Sequence, residues 1–209
     1  NLKKKSFISR LGSGSASRSI EGPVTLWGRT DAFKESSDLY AVNISNEVDK
    51  IFHDYNNTIL IIDPGQKVIS SSLGHELMNK NHFSNKRFEI AKNNTERIKD
   101  ILKSGELDEF ITITESEALM IHSLMLSSDP YYILMKPNTL EAIHKVLEFR
   151  RETKLHLSFT LDAGSNVHLL YPKSETEIIT KFIDTELLML CKSNSCINDH
   201  LGNGSIKIR

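Results

Sequence analysis

Apolar residues recur every three to four positions through most of this chain and every second position in only a few short stretches, a pattern of helices broken by brief strands. In LKKKSFISRL (2–11), Leu2, Phe7, Ile8 and Leu11 mark the last turns of an amphipathic helix that Gly12 ends. SASRSI (15–20) can form a short helix and Gly22-Pro23 breaks it. VTLWG (24–28), rich in β-branched and aromatic residues, predicts a strand. TILIIDP (58–64) is an apolar run closed by a turn, the signature of a buried strand.

A helical section follows. Phe88, Ile90, Ala91, Ile98, Ile101 and Leu102 space a long helix within 83–105 that stops at Gly105. Residues 106–128 predict a second, stopped by Asp129-Pro130, and residues 138–152 a third, which Asn138 or Thr139 can cap. The period then changes to two. KLHLSFTL (154–161) and VHLLY (167–171) read as strands joined by DAGSN (162–166), a hairpin turn. Residues 174–190 close the series as an amphipathic helix, with Ser174 and Glu177 spaced as a capping box. One strand, three helices, a hairpin and a helix predict an α+β sandwich, preceded by a piece that reads as the end of another domain.

Composition narrows the function classes. With 26 basic and 27 acidic side chains in 209 residues, the chain lacks the electrostatic footprint of a nucleic-acid binder, and Lys3-Lys4-Lys5 reads as a solvated helix face. No apolar run approaches the roughly 18 to 20 residues that span a bilayer, and no apolar signal-peptide core opens the chain, so no membrane association is expected and the cytoplasm is the default address. Cys191, Cys196 and His200 have a C-x4-C-x3-H spacing. Three ligands on a Ser/Asn-rich tail do not make a convincing zinc site, and no metal site is expected there.

Two places carry candidate chemistry. Gly12-Ser13-Gly14-Ser15 is either a plain connector or an anion nest, in which backbone N–H groups, the Ser13 and Ser15 hydroxyls and the Arg18 guanidinium meet one polyanion. Asp162 is either a turn aspartate bonded to its own backbone or a carboxylate at a strand end, able to orient or deprotonate a hydroxyl.

Taken together, RLGSGSASRSIEGPVTLW and FTLDAGSNVHLLY resemble the diphosphomevalonate decarboxylase family of the GHMP kinase superfamily, whose motifs read close to GSGSACRS and DAGPN. ISSSLGHELM (69–78) and ALMIHSLMLSSDP (118–130) extend the resemblance in order along the chain. It implies a GHMP kinase-type fold, with residues 1–45 as the end of the amino-terminal, ATP-binding domain. Residues 46–209 would be a ferredoxin-like carboxyl-terminal α/β sandwich. The implied reaction is the ATP- and Mg²⁺-dependent decarboxylation of mevalonate 5-diphosphate to isopentenyl diphosphate. Ser13, Gly14, Ser15 and Arg18 match the substrate-binding segment, Asp162 and Arg18 the catalytic pair. The resemblance admits a homodimer.

Other readings remain: a mevalonate-type kinase that stops after phosphorylation, a decarboxylase of the monophosphate, or a non-catalytic diphosphate-binding protein. The departures from the family pattern are Ser17 for cysteine and Ser165 for proline, the latter predicting a less rigid turn beside Asp162. The family's ATP loop is expected upstream of residue 1, leaving the chain a carboxyl-terminal fragment, inactive alone, whose first strand lacks sheet partners. His122 reads as a satisfied structural histidine, and Ser70, Ser71 and Ser72 as loop or cap residues.

Overall fold

The computed structural model describes residues 1–65 and 76–206 and divides the chain into two units. The first comprises Asn1–Tyr55, Lys92–Glu106 and His200–Arg209, the second Asn56–Ala91 and Leu107–Asp199.

In the first unit, α1 (Leu2–Gly12) ends where Ser13 turns to extended backbone, and a 3-10 turn (Gly14–Ser19) follows at once. Buried Ser6 ties these pieces together: its hydroxyl donates to the Ser17 carbonyl at 2.8 Å and accepts from the Ala41 N–H at 2.9 Å. Such a pairing is needed because a buried hydroxyl without partners costs about 1–3 kcal/mol. The strand expected at 24–28 shrinks to β1 (Thr25–Leu26), and it does have a partner, pairing antiparallel with β2 (Val42–Asn43). It stops because Trp27 leaves the ladder to donate Nε1–H to the Asp38 carbonyl, and Gly28 follows at φ +117°. Phe33, Val42, Ile44, Phe52 and Ile101 are buried within this unit.

The second unit is built on a four-stranded sheet in the order β4-β5-β3-β6. Its strands are β3 (Tyr55–Leu60), β4 (Ser158–Leu161), β5 (Val167–Pro172) and β6 (Cys196–His200). The predicted hairpin forms, with Ser158 opposite Leu170 and Leu161 opposite Val167. β3 starts and ends earlier than its apolar run, because beyond Leu60 the backbone bonds to the loop before β6: Ile61 N–H donates to Ser195 O, and Lys192 N–H to Ile61 O. β6 was not predicted. Its sequence, CINDH, has no alternation and its residues are largely exposed.

Further helices are α2 (Ser84–Ser104), α3 (Leu107–Leu126), α4 (Pro137–Thr153) and α5 (Thr176–Phe182), the last continuing into a wider turn (Ile183–Leu187). Gly105 closes α2 as predicted: at φ +81° it donates its N–H to Ile101 O, a conformation a side chain would strain. Helix α4 starts on Lys136, whose N–H donates to Thr139 Oγ1. The Ser174/Glu177 capping box is not seen. The residue preceding α5 is Glu175, and its carboxylate accepts from the His156 backbone N–H and ring Nδ1, each at 2.6 Å.

The core of the second unit gathers Leu60 from β3, Ala118 from α3, Val146 from α4, Phe159 from β4, Val167 and Leu169 from β5, and Ile179 from α5. Each large side chain so buried contributes about 1.5–3 kcal/mol. A second cluster of Leu77, Met125 and Tyr132 has Ala163, in the hairpin turn, packed against it. The sheet and α3 thus hold one short turn between them.

Candidate functional site

That turn carries Asp162, whose side chain is exposed. Its main chain is held from several sides. The Asp162 carbonyl accepts from Gly164 N–H at 2.7 Å and from His122 Nε2 at 3.1 Å. Ser165 is buried, and its carbonyl accepts from Thr139 Oγ1 at 2.7 Å. Asn166 Oδ1 accepts from the Asp63 N–H at 3.1 Å. Thr139 is fully buried and does two jobs at once, capping α4 and fixing the turn. The looseness expected from Ser165 in place of proline is therefore countered by hydrogen bonds.

Two histidines stand beside Asp162. His122 is 2% exposed, and burial lowers its pKa from the ordinary 6.5, an effect the bond to the Asp162 carbonyl opposes. His168 sits on β5 opposite Thr160, and burial lowers its pKa too, with the negative charge of Asp162 working the other way. Both rings are thus neutral at pH 7. The expectation of a satisfied His122 agrees with the geometry, but its partner is the candidate catalytic residue. Thr139 was legible only as a helix cap. Asn166 was legible only as the last residue of the DAGSN motif, and His168 gave no signal beyond its place in the hairpin.

The Gly/Ser segment lies in the first unit. Ser13, Ser15 and Arg18 are exposed and Gly14 is half-buried. The hydroxyls of Ser13 and Ser15 are 3.3 Å apart, close enough for one oxyanion to meet both. The backbone offers less than a full nest, because the Ser13 and Ala16 N–H groups already donate to Ser9 O and Ser13 O. Gly14 lies in close approach to Trp27: a Cβ there would be 2.8 Å from Cη2, so the ring would have to shift. Ser17 is buried, and its hydroxyl donates to the Gly14 carbonyl at 2.7 Å, so the residue replacing cysteine braces the turn.

Ser70, Ser71 and Ser72 lie outside the described residues. Among the described residues no three His, Cys, Asp or Glu side chains converge as a metal-binding group, so no ligand set is assigned to Mg²⁺. Cys191 is buried, which pushes its thiol up to about 11, and Cys196 is half-buried. No helix among the described residues is long and apolar enough to cross a membrane.

The family model of the mevalonate 5-diphosphate decarboxylase C-terminal domain matches residues 57–201. The diphosphomevalonate decarboxylase of Ganoderma lucidum is 25% identical over 185 residues, 85% of this chain and 46% of that protein. Mevalonate diphosphate decarboxylase from Staphylococcus aureus superposes with a TM-score of 0.82 at 26% identity, over 98% of this chain and 59% of that one. A complex of MDDEF with MVAPP, AMPPCP and magnesium superposes with a TM-score of 0.81 at 24% identity, over 98% and 60% of the two chains. The chain spans about half the length of the curated relatives it matches. It has the mixed α/β architecture of these GHMP-type structures, and it belongs to the mevalonate 5-diphosphate decarboxylase C-terminal domain family.

Proposed function

We propose that this chain serves the ATP-dependent decarboxylation of mevalonate 5-diphosphate to isopentenyl diphosphate, as part of a mevalonate diphosphate decarboxylase. The observation that carries this reading is an exposed carboxylate, Asp162, on a turn held from α3, α4 and the segment after β3, in a chain of this family. Residues 1–45 are read as the end of the ATP-binding domain and 46–209 as the carboxyl-terminal domain. The cytoplasm and a homodimer are the address and assembly that go with this reading.

Asp162 orients the tertiary 3-hydroxyl and takes its proton, which requires a carboxylate ionised near neutral pH. The hydroxyls of Ser13 and Ser15 donate to the diphosphate, while Gly14 keeps the segment close to Trp27. Arg18 holds the substrate carboxylate so that the breaking C–C bond aligns with the departing group as positive charge develops at C3. When bound with Mg²⁺, ATP supplies the phosphoryl group that makes this tertiary oxygen a leaving group. No residue of this chain is assigned to the nucleotide.

The test is Asp162→Asn in the full-length protein. We expect kcat to fall by about 10²–10⁴ with little change in substrate affinity. Equal losses in both would remove Asp162 from its role. Release of ADP without CO2 by the unsubstituted protein would turn the reading into that of a kinase.

A further inference from the structure

The Asp162 side chain is exposed, and the main chain beneath it sets the Cα–Cβ direction from which its carboxylate extends. A carbonyl oxygen has two lone pairs, and at Asp162 both have donors: Gly164 N–H from inside the turn and His122 Nε2 from α3. The first bond only closes the turn on itself. The second ties it to a helix whose Ala118, Leu124 and Met125 are buried. Because a carbonyl can only accept, Nε2 of His122 carries the hydrogen. Without this bond the turn at Asp162 is free to move against α3, and the Cα–Cβ direction of the carboxylate moves with it.

We infer that His122 is a positioning residue for the decarboxylation, fixing the Asp162 carboxylate by donating Nε2–H to the Asp162 main-chain carbonyl. The inference rests on the role proposed above for Asp162. It is supported by the 3.1 Å bond, the 2% exposure of the ring, and the anchoring of the neighbouring residues, with Ala163 against the Leu77, Met125 and Tyr132 cluster and Ser165 held by Thr139. A ring kept only to fill space would be replaceable by any side chain of its shape. A positioning donor is replaceable only by another donor at the Nε2 position.

The experiment compares His122→Phe, His122→Gln and His122→Asn with Asp162→Asn in the full-length protein. His122→Phe keeps the shape without the donor, and we expect kcat to drop about 10- to 100-fold with KM within about twofold, the pattern of a misplaced reacting group. Gln brings its amide N–H to the Nε2 position and restores most of kcat. Asn, reaching only the Nδ1 position, does not. Wild-type kcat in His122→Phe, or equal kcat in the Gln and Asn variants, overturns the inference. Full turnover in Asp162→Asn is a separate failure, of the Asp162 role itself. If the Phe variant does not fold, amide exchange at Gly164 decides: it is faster in the Asn than in the Gln variant if His122 holds the turn, and identical exchange overturns the inference.

Discussion

Nε2 of His122 lies 3.1 Å from the main-chain carbonyl of Asp162, joining the carboxyl-terminal part of α3 to the hairpin turn across 40 positions of sequence. Burial of His122 and of His168 lowers both pKa values below the ordinary 6.5, and this has a consequence for stability. In the unfolded chain these rings regain the ordinary value. Between the lowered pKa and 6.5 the unfolded chain binds more protons than the folded one, so stability is complete above 6.5 and declines as pH falls below it. We expect the urea midpoint to drop as pH is lowered from about 7 to about 5.5, and the slope to be shallower in His122→Gln. A slope unchanged by that substitution would exclude His122 as a source of the pH dependence.

Glu115 and Arg150 form a clasp between α3 and α4. Arg150 donates to both Glu115 carboxylate oxygens, at 2.5 and 2.9 Å, and to the Leu157 carbonyl at 2.8 Å, while Glu115 also accepts from the Phe159 N–H. Both side chains are largely buried, at 11% and 23% exposure. Glu115→Ala leaves the guanidinium uncompensated and should cost about 3–5 kcal/mol. Replacing both partners, as Glu115→Leu with Arg150→Met, should recover a large part of that loss in chemical denaturation. A double variant no more stable than Glu115→Ala would mean that the charge pair is not the source.

Trp27 is the one tryptophan of the sequence, and its ring closes against Gly14. Gly14→Ala would place a Cβ 2.8 Å from Cη2, so the ring must shift and strain its Nε1–H bond to the Asp38 carbonyl. The expected outcome is a changed fluorescence emission maximum and, under the proposed function, a several-fold weaker affinity for mevalonate diphosphate. An unaltered spectrum would show that the ring does not rest on Gly14.

Cys191 is expected to be inert. With its thiol pushed up to about 11 by burial, it holds on the order of a hundredfold less thiolate at pH 8 than it would at its ordinary value. Iodoacetamide should therefore label Cys196, which is half-buried, before Cys191, as peptide mass mapping over time would show. Labelling in the reverse order would contradict the burial of Cys191.

By itself the sequence determined the elements whose signals are local. Alternation from Ser158 to Leu161 and from Val167 onward placed DAGSN in a hairpin turn, and with it Asp162 at a strand end. Gly105 announced the end of α2, and the 3.6-residue period announced three long helices. The GSGSASRS and DAGSN motifs pointed to the family that residues 57–201 match. Tertiary structure alone decided which groups those elements meet. CINDH became β6 through pairing with β3, not through any pattern of its own. Glu175 bonded to His156 where a local capping box had been expected. Thr139 and His122 found Ser165 and Asp162 far along the chain. The physical reason is that side-chain periodicity encodes which face of an element is buried, whereas a hydrogen bond between distant residues needs a distance and an angle that only the packed chain supplies.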